Sequence, residues 1–291
     1  MTEENHPAPV EPRSLPRKAG LLILAALLAA FLLFLFYRGL LDPDEGRYME
    51  IPREMVSSGD WMEMRLMGFR YYEKPPLIYW ITAIPIQLFG AKDWAGRIPL
   101  LPAGLAVGLM GLFLAVKAWG RKTALTTLLA AVTPLGLIFS MAMAIPDSYL
   151  TLWFAATCVL LFLAFEQDAG AGKRRACLLG AALFVFLGTM TKGIVAAVLP
   201  AGIVFLWLIW ERQLRSLWLP ASFAAALLFL VLIVASTWQI EKHNPGFTRY
   251  FYLEEHLSRF VGTRKEQLHP EAFWFFFAVV PLLLMPWTLF L

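Results

Sequence analysis

Apolar residues run along this chain in long blocks, not in the alternation of a half-buried strand. Blocks at 19–37, 98–116, 123–144, 148–165, 176–191, 193–210, 217–240 and 272–291 are close to the roughly 20 residues a helix needs to cross a hydrocarbon core of about 30 Å. Eight candidate spans follow, and the chain reads as an all-α polytopic membrane protein. A further apolar block, 77–90, is short, carries Gln87 and is broken by Pro85, which suits a half-buried or interfacial helix better than a crossing. The last block stops at Phe290-Leu291 without a polar flank, as if cut inside or at the end of a span.

The polar positions decide how the blocks are threaded. Lys117, Arg121, Lys122, Lys173, Arg174, Arg175, Arg212 and Arg215 fall in three short loops, 117–122, 166–175 and 211–216. Short basic loops stay on the cytoplasmic side. If 77–90 does not cross, the tail 1–18, with Arg13, Arg17 and Lys18, falls on that side too. The expected organisation is a cytoplasmic tail, 1–18, and a transmembrane domain, 19–291, with large extracytoplasmic loops at 38–97 and 241–271 and short outer turns at 145–147 and 192. Most of the 21 acidic residues, with His243, His256 and His269, then share the outer side. No small-residue cleavage site follows the first block, which reads as an uncleaved span.

Composition narrows the class. The sequence is 59% hydrophobic and 16% charged, too apolar for a water-soluble domain of this length. The net charge of +4 sits in loop clusters, as orientation signals do, and argues against a nucleic-acid partner. Cys158 and Cys177 lie inside apolar blocks with no CxxC or Cys/His spacing, so they read as packing residues.

Candidate chemistry gathers in the outer segments. Asp44, Arg47, Glu50 and Glu54 share one face of a short helix, with Tyr48, Ile51, Met55 and Val56 turned toward the bilayer; spacing alone fits a charged helix lying at the interface. Asp147, the only charge between Thr123 and Phe165, follows Pro146 at an outer turn. It is either the N-cap of the next helix or a functional ionisable group at membrane depth. Lys192 interrupts an apolar run at its outer end, as a lipid-phosphate contact or as a snorkelling lysine would. His243 and His269 read as solvated loop residues, and Trp61, Trp80, Trp94, Trp153, Trp238 and Trp274 as interfacial anchors.

The ordered set Asp42-Pro43-Asp44-Glu45-Gly46-Arg47-Tyr48, Ile51-Pro52-Arg53-Glu54-Met55, Ser58-Gly59-Asp60-Trp61, Gly68-Phe69-Arg70-Tyr71, Glu73-Lys74-Pro75-Pro76-Leu77, Tyr79-Trp80, Phe89-Gly90 and Arg97 resembles the polyprenyl-phosphate sugar transferases of the GT-C superfamily. It is most similar to the bacterial aminoarabinose transferases that modify lipid A, and more loosely to protein O-mannosyltransferases. The resemblance implies a GT-C-like helix bundle whose first extracytoplasmic loop holds an interfacial helix, in a bacterial inner membrane with the active site outside. It implies sugar transfer from an undecaprenyl-phosphate donor to a hydroxyl, with inversion at the anomeric carbon. Asp44 then matches the base, since an ordinary carboxyl is ionised at neutral pH, and Asp147 supports it. Lys74, Lys192 and Arg259 are the expected phosphate contacts, with Glu45, Arg47, Tyr48 and Tyr72 elsewhere in the site.

Related aminoarabinose transferases carry a divalent metal near the glutamate that matches Glu73, so Glu73 with His256 is a partial zinc set, though two ligands make no site and no HxxxH spacing exists. No nucleotide cofactor is expected. Partners would be the lipid-linked donor, a lipid or protein acceptor, and membrane lipids. Three alternatives stand beside lipid modification. Transfer to protein Ser/Thr would use the same donor. A lipid-linked sugar transporter would want ionisable groups deep in several spans. An inactive fragment is the third, because relatives usually continue through further spans.

Overall fold

The computed structural model describes residues 17–121, 124–166, 168–261, 272 and 274–290. Its order is α1 (Arg17–Tyr37), α2 (Asp44–Ser58), a two-residue hairpin β1 (Arg65–Leu66) and β2 (Phe69–Arg70), α3 (Leu77–Phe89), α4 (Leu100–Trp119), α5 (Ala124–Val132), α6 (Leu135–Ala142), α7 (Pro146–Ala164), α8 (Ala171–Lys192), α9 (Val195–Trp210), α10 (Pro220–His243), a π-helix (Arg249–Leu257) running into α11 (Ser258–Val261), and α12 (Phe275–Leu283). The all-α expectation holds.

Against eight apolar blocks in the sequence, five helices among the described residues, α1, α4, α7, α8 and α10, are long and apolar enough to cross, and a bent pair taken as one span makes a sixth. The block 123–144 is two helices bent by 65° at Thr133-Pro134, because proline lacks the N–H the helix would need there. The far segment repairs the break: the Leu135 N–H donates to the Met285 carbonyl at 3.0 Å, and the Trp287 indole N–H to Thr133 Oγ1 at 2.7 Å. The block 193–210 forms only the 16-residue α9, about 24 Å by its rise. The block 272–291 holds the nine-residue α12 and a short 3₁₀ turn, Trp287–Phe290, separated by Pro286.

Two ends of the bundle are polar, and each is tied across segments. At one end Glu166 takes both Lys117 and Lys173, so two of the basic loops meet. At the other end Asn244 donates to the Met62 carbonyl at 2.7 Å and the Tyr72 hydroxyl to the Pro245 carbonyl at 3.2 Å, joining the loop after α2 to the segment after α10.

The first large loop is built on α2 and α3. Asp44 and Glu45 stand in the first turn of α2, where carboxylates favour the helix dipole. Its C-terminus closes on Gly59 at φ +75°, whose N–H returns to the Met55 carbonyl. Tyr48, Ile51 and Met55 are buried, and α2 packs on α3. The apolar face of α2 therefore meets protein and not, as its pattern suggested, the bilayer. Helix α3 has only 13 residues and carries fully buried Ile78, Tyr79, Thr82 and Ala83, in keeping with a block that does not cross.

Candidate functional site

Glu45 is the hub on which the site is hung. Its side chain is fully buried and accepts from two guanidiniums: Arg97 Nε at 3.0 Å and Nη2 at 3.1 Å, and Arg38 through Nη1 and, at 2.8 Å, Nη2. The backbone N–H groups of Leu41 and Ala144 complete it, each at 3.0 Å. Burial alone would raise the Glu45 pKa, but these donors outweigh it and hold the carboxyl down at about 2. One carboxylate thus stitches the end of α1, the start of α2, the turn before α4 and the α6–α7 junction. Gly96 makes the approach feasible, since a Cβ there would lie 2.2 Å from Met49 Sδ.

Holding Glu45 inward turns its neighbour outward: Asp44 is exposed. Around it, Tyr71 donates to Glu73 at 2.8 Å, and Arg47 lies 3.4 Å from the Tyr71 hydroxyl and 3.6 Å from Glu73. Tyr48 stacks on Tyr79, which Tyr71 meets edge-on. Burial pushes the Tyr48 hydroxyl well above its ordinary pKa; Arg47 opposes that, and Asp44, Glu73 and Asp147 add to it. Carboxylates from α2, from the stretch before α3 and from α7 thus act on one phenol.

Each candidate phosphate lysine is held by a carboxylate. Lys192, at the C-terminus of α8, pairs with Asp147 in the first turn of α7. Asp147 is not an N-cap; Ile145 occupies that position, without a side-chain cap, and the Asp147 carboxylate faces Lys192. Lys74 reaches Glu255 of the π-helix at 3.2 Å, both side chains nearly buried. A π-helical turn aims side chains that an α-helix would rotate away, which is why such turns recur at functional sites. Tyr72 packs its ring on Phe247 and Tyr250 and serves to join the two loops.

His256 lies beside the lysine pair. Its Nδ1–H donates to the Phe251 carbonyl at 2.7 Å, and Gly193, next to Lys192, runs under its ring. Gly193 has φ +107°, and a Cβ there would fall 2.4 Å from His256 Nε2. Gly193→Ala is therefore expected to lower stability by about 1–3 kcal/mol. Thermal unfolding in detergent checks this, and an unchanged midpoint would refute it.

The metal expectation meets a plain geometric test. Among the described residues, no group of three or more His, Cys, Asp or Glu side chains is placed to hold an ion, whereas protein-held zinc takes three or four such ligands. Glu73 accepts from Tyr71 and faces Arg47. Arg259 lies in α11, with its side chain outside the described residues, as are His269 and the tail 1–16. Arg38 and Glu255 escaped the reading of the sequence as site residues. Arg38 left only a charge at the end of an apolar block, and Glu255 stood beside the residue that drew attention.

The sequence pattern of the dolichyl-phosphate-mannose-protein mannosyltransferases matches residues 19–251. The chain belongs to that family. Among curated proteins it is 35% identical over 271 residues to the undecaprenyl phosphate-alpha-4-amino-4-deoxy-L-arabinose arabinosyl transferase of Pseudomonas savastanoi pv. phaseolicola, covering 91% of this chain and 48% of that one. It is 32% identical to the protein of that name from Erwinia tasmaniensis, covering 89% and 46%. Crystal structures of ArnT from Cupriavidus metallidurans, apo and bound to undecaprenyl phosphate, superpose with a TM-score of 0.79 at 26% and 25% identity, covering 94% of this chain and 50% of theirs. The fold is thus the GT-C helix bundle of a bacterial membrane protein, and the chain spans about half the length of the relatives it matches.

Proposed function

We propose that this chain forms the membrane half of an inverting transferase that moves a sugar from a polyprenyl phosphate to the hydroxyl of a lipid acceptor such as lipid A. The observation that carries the reading is an exposed Asp44 set in one polar face with two carboxylate-held lysines. Asp44 takes the acceptor proton as the new bond to the anomeric carbon forms. The bond from that carbon to phosphate breaks, and the electron pair leaves on the polyprenyl phosphate. The lysines compensate its charge: Lys192 turns from half-exposed Asp147, and Lys74 from Glu255. The relatives' names, which specify an undecaprenyl-phosphate aminoarabinose donor, support the donor class.

The polar face is taken as periplasmic and the end tied by Glu166 as cytoplasmic, with the N-terminus on the cytoplasmic side of the inner membrane. Basic loops at the Glu166 end support this orientation. Lipid A and envelope proteins analysed by mass spectrometry, with the full gene present or deleted, test the function. A gene-dependent aminopentose on lipid A is expected. A hexose on protein would instead favour the protein acceptors in the family's description.

The lysine role has its own check. Lys192 and Asp147 are both partly exposed, so Lys192→Met should fold normally. It should raise KM for the donor roughly tenfold, the scale of one charge-assisted contact. Unaltered KM would remove Lys192 from the site.

A further inference from the structure

A cavity of about 550 Å³ lies between α1, α4 and the bent α5–α6 pair, lined only by apolar side chains and glycine. Along α1 it runs from Leu24 to Phe34, about 15 Å by the helical rise, which is half the hydrocarbon thickness. A crossing helix of about 30 Å would be about twice as long as the slot. One aliphatic chain confined to one leaflet fits the dimensions, and a long polyprenyl chain would overrun them.

The polar end of this slot carries a charge. Arg38 stands 4.7 Å over the ring of Phe34, which with Phe139 closes the slot there. Its Nη2 donates to the Ala142 carbonyl, next to the lining residue Met141. Two guanidiniums, of Arg38 and Arg97, share the single Glu45 carboxylate, so the buried group keeps one positive charge in excess. Arg38 Nε, moreover, is buried without a hydrogen-bond partner. An anionic headgroup complements that excess charge.

The slot also lies apart from the donor lysines. Lys74 and Lys192 belong to the α3, α8 and π-helix side, where a smaller cavity of about 310 Å³ is lined by Leu77, Trp80 and Met190. Asp44 adjoins Glu45, the partner of the Arg38 that stands at the polar end of the slot. We propose that the slot holds one acyl chain of a phosphate-bearing acceptor lipid, delivering its headgroup to Asp44; this rests on the transferase reading above.

Three photoreactive probes test it with the protein in nanodiscs: lipid A with a diazirine in an acyl chain, undecaprenyl phosphate with a diazirine, and diazirine phosphatidylglycerol. The lipid A probe is expected to label peptides from α1, α4 and α6. Gly108→Leu fills the slot where a Cβ meets only Val132 at 3.7 Å; it should cut that labelling about tenfold while undecaprenyl phosphate labelling elsewhere stays constant. Gly108→Ala serves as the folding control. Preferential labelling by undecaprenyl phosphate, equal labelling by phosphatidylglycerol, or no labelling of the slot overturns the proposal. Labelling needs no turnover, so a chain that binds lipid A here yet transfers no sugar would defeat the transferase reading alone.

Discussion

Glu45→Gln is expected to lower stability by about 3–5 kcal/mol, as breaking a buried ion pair does. The substitution leaves Arg97, fully buried, and Arg38, nearly so, without their shared counter-charge. A carboxylate that accepts from four residues is replaced by an amide that also donates. The loss should appear as a lower unfolding temperature in detergent and reduced recovery from membranes, and wild-type stability would refute the hub. Acid should reproduce part of it. With the folded Glu45 pKa at about 2, against an ordinary value of 4.5, this carboxylate stabilises fully above 4.5 and loses its contribution as pH falls toward 2. The difference corresponds to about 3 kcal/mol.

Asp44→Asn should act in the opposite manner, sparing the fold and abolishing chemistry. Asp44 is exposed and takes no part in the Glu45 cluster, so unfolding should be unchanged. Removal of a general base costs about 10²–10⁴-fold in turnover. Transfer by the purified variant from a polyprenyl-phosphate sugar, followed by mass spectrometry, measures it, and retention of full activity would sink the base assignment. The contrast between neighbouring carboxylates is the sharper test. Asp44 should move kcat without moving stability, and Glu45 should move stability first.

The sequence disclosed the bundle because apolar blocks long enough to cross a bilayer are a strong signal, and the short block 77–90 forms only the 13-residue α3. Hydropathy does not register where a helix stops: 193–210 forms only the 16-residue α9, 272–291 only the nine-residue α12, and the run through Thr133-Pro134 is as apolar on either side of its bend as within one span. The face of α2 was read correctly as a stripe but assigned to the wrong partner. Tyr48, Ile51 and Met55 would suit lipid or protein equally, and only the placement of α3 decides.

Within the site, the motif pointed to Asp44, Lys74, Asp147 and Lys192, but not to what holds the two lysines. The Asp147–Lys192 pair spans 45 positions and Lys74–Glu255 spans 181. Separations of that kind have no local signature. Glu45 illustrates the same limit: two of its four donor residues, Arg97 and Ala144, lie 52 and 99 positions away, and its burial could not be read from a position beside an exposed aspartate.

The bend between α5 and α6 has a consequence for biogenesis. Its polar backbone at Leu135 and hydroxyl at Thr133 are satisfied by Met285 and Trp287, the latter 154 positions later in the chain. During synthesis this hairpin enters the bilayer long before its clasp exists. Until Trp287 arrives, water, lipid headgroups or an insertion chaperone must cover it, so the bundle can lock only after most of its helices are already in the membrane.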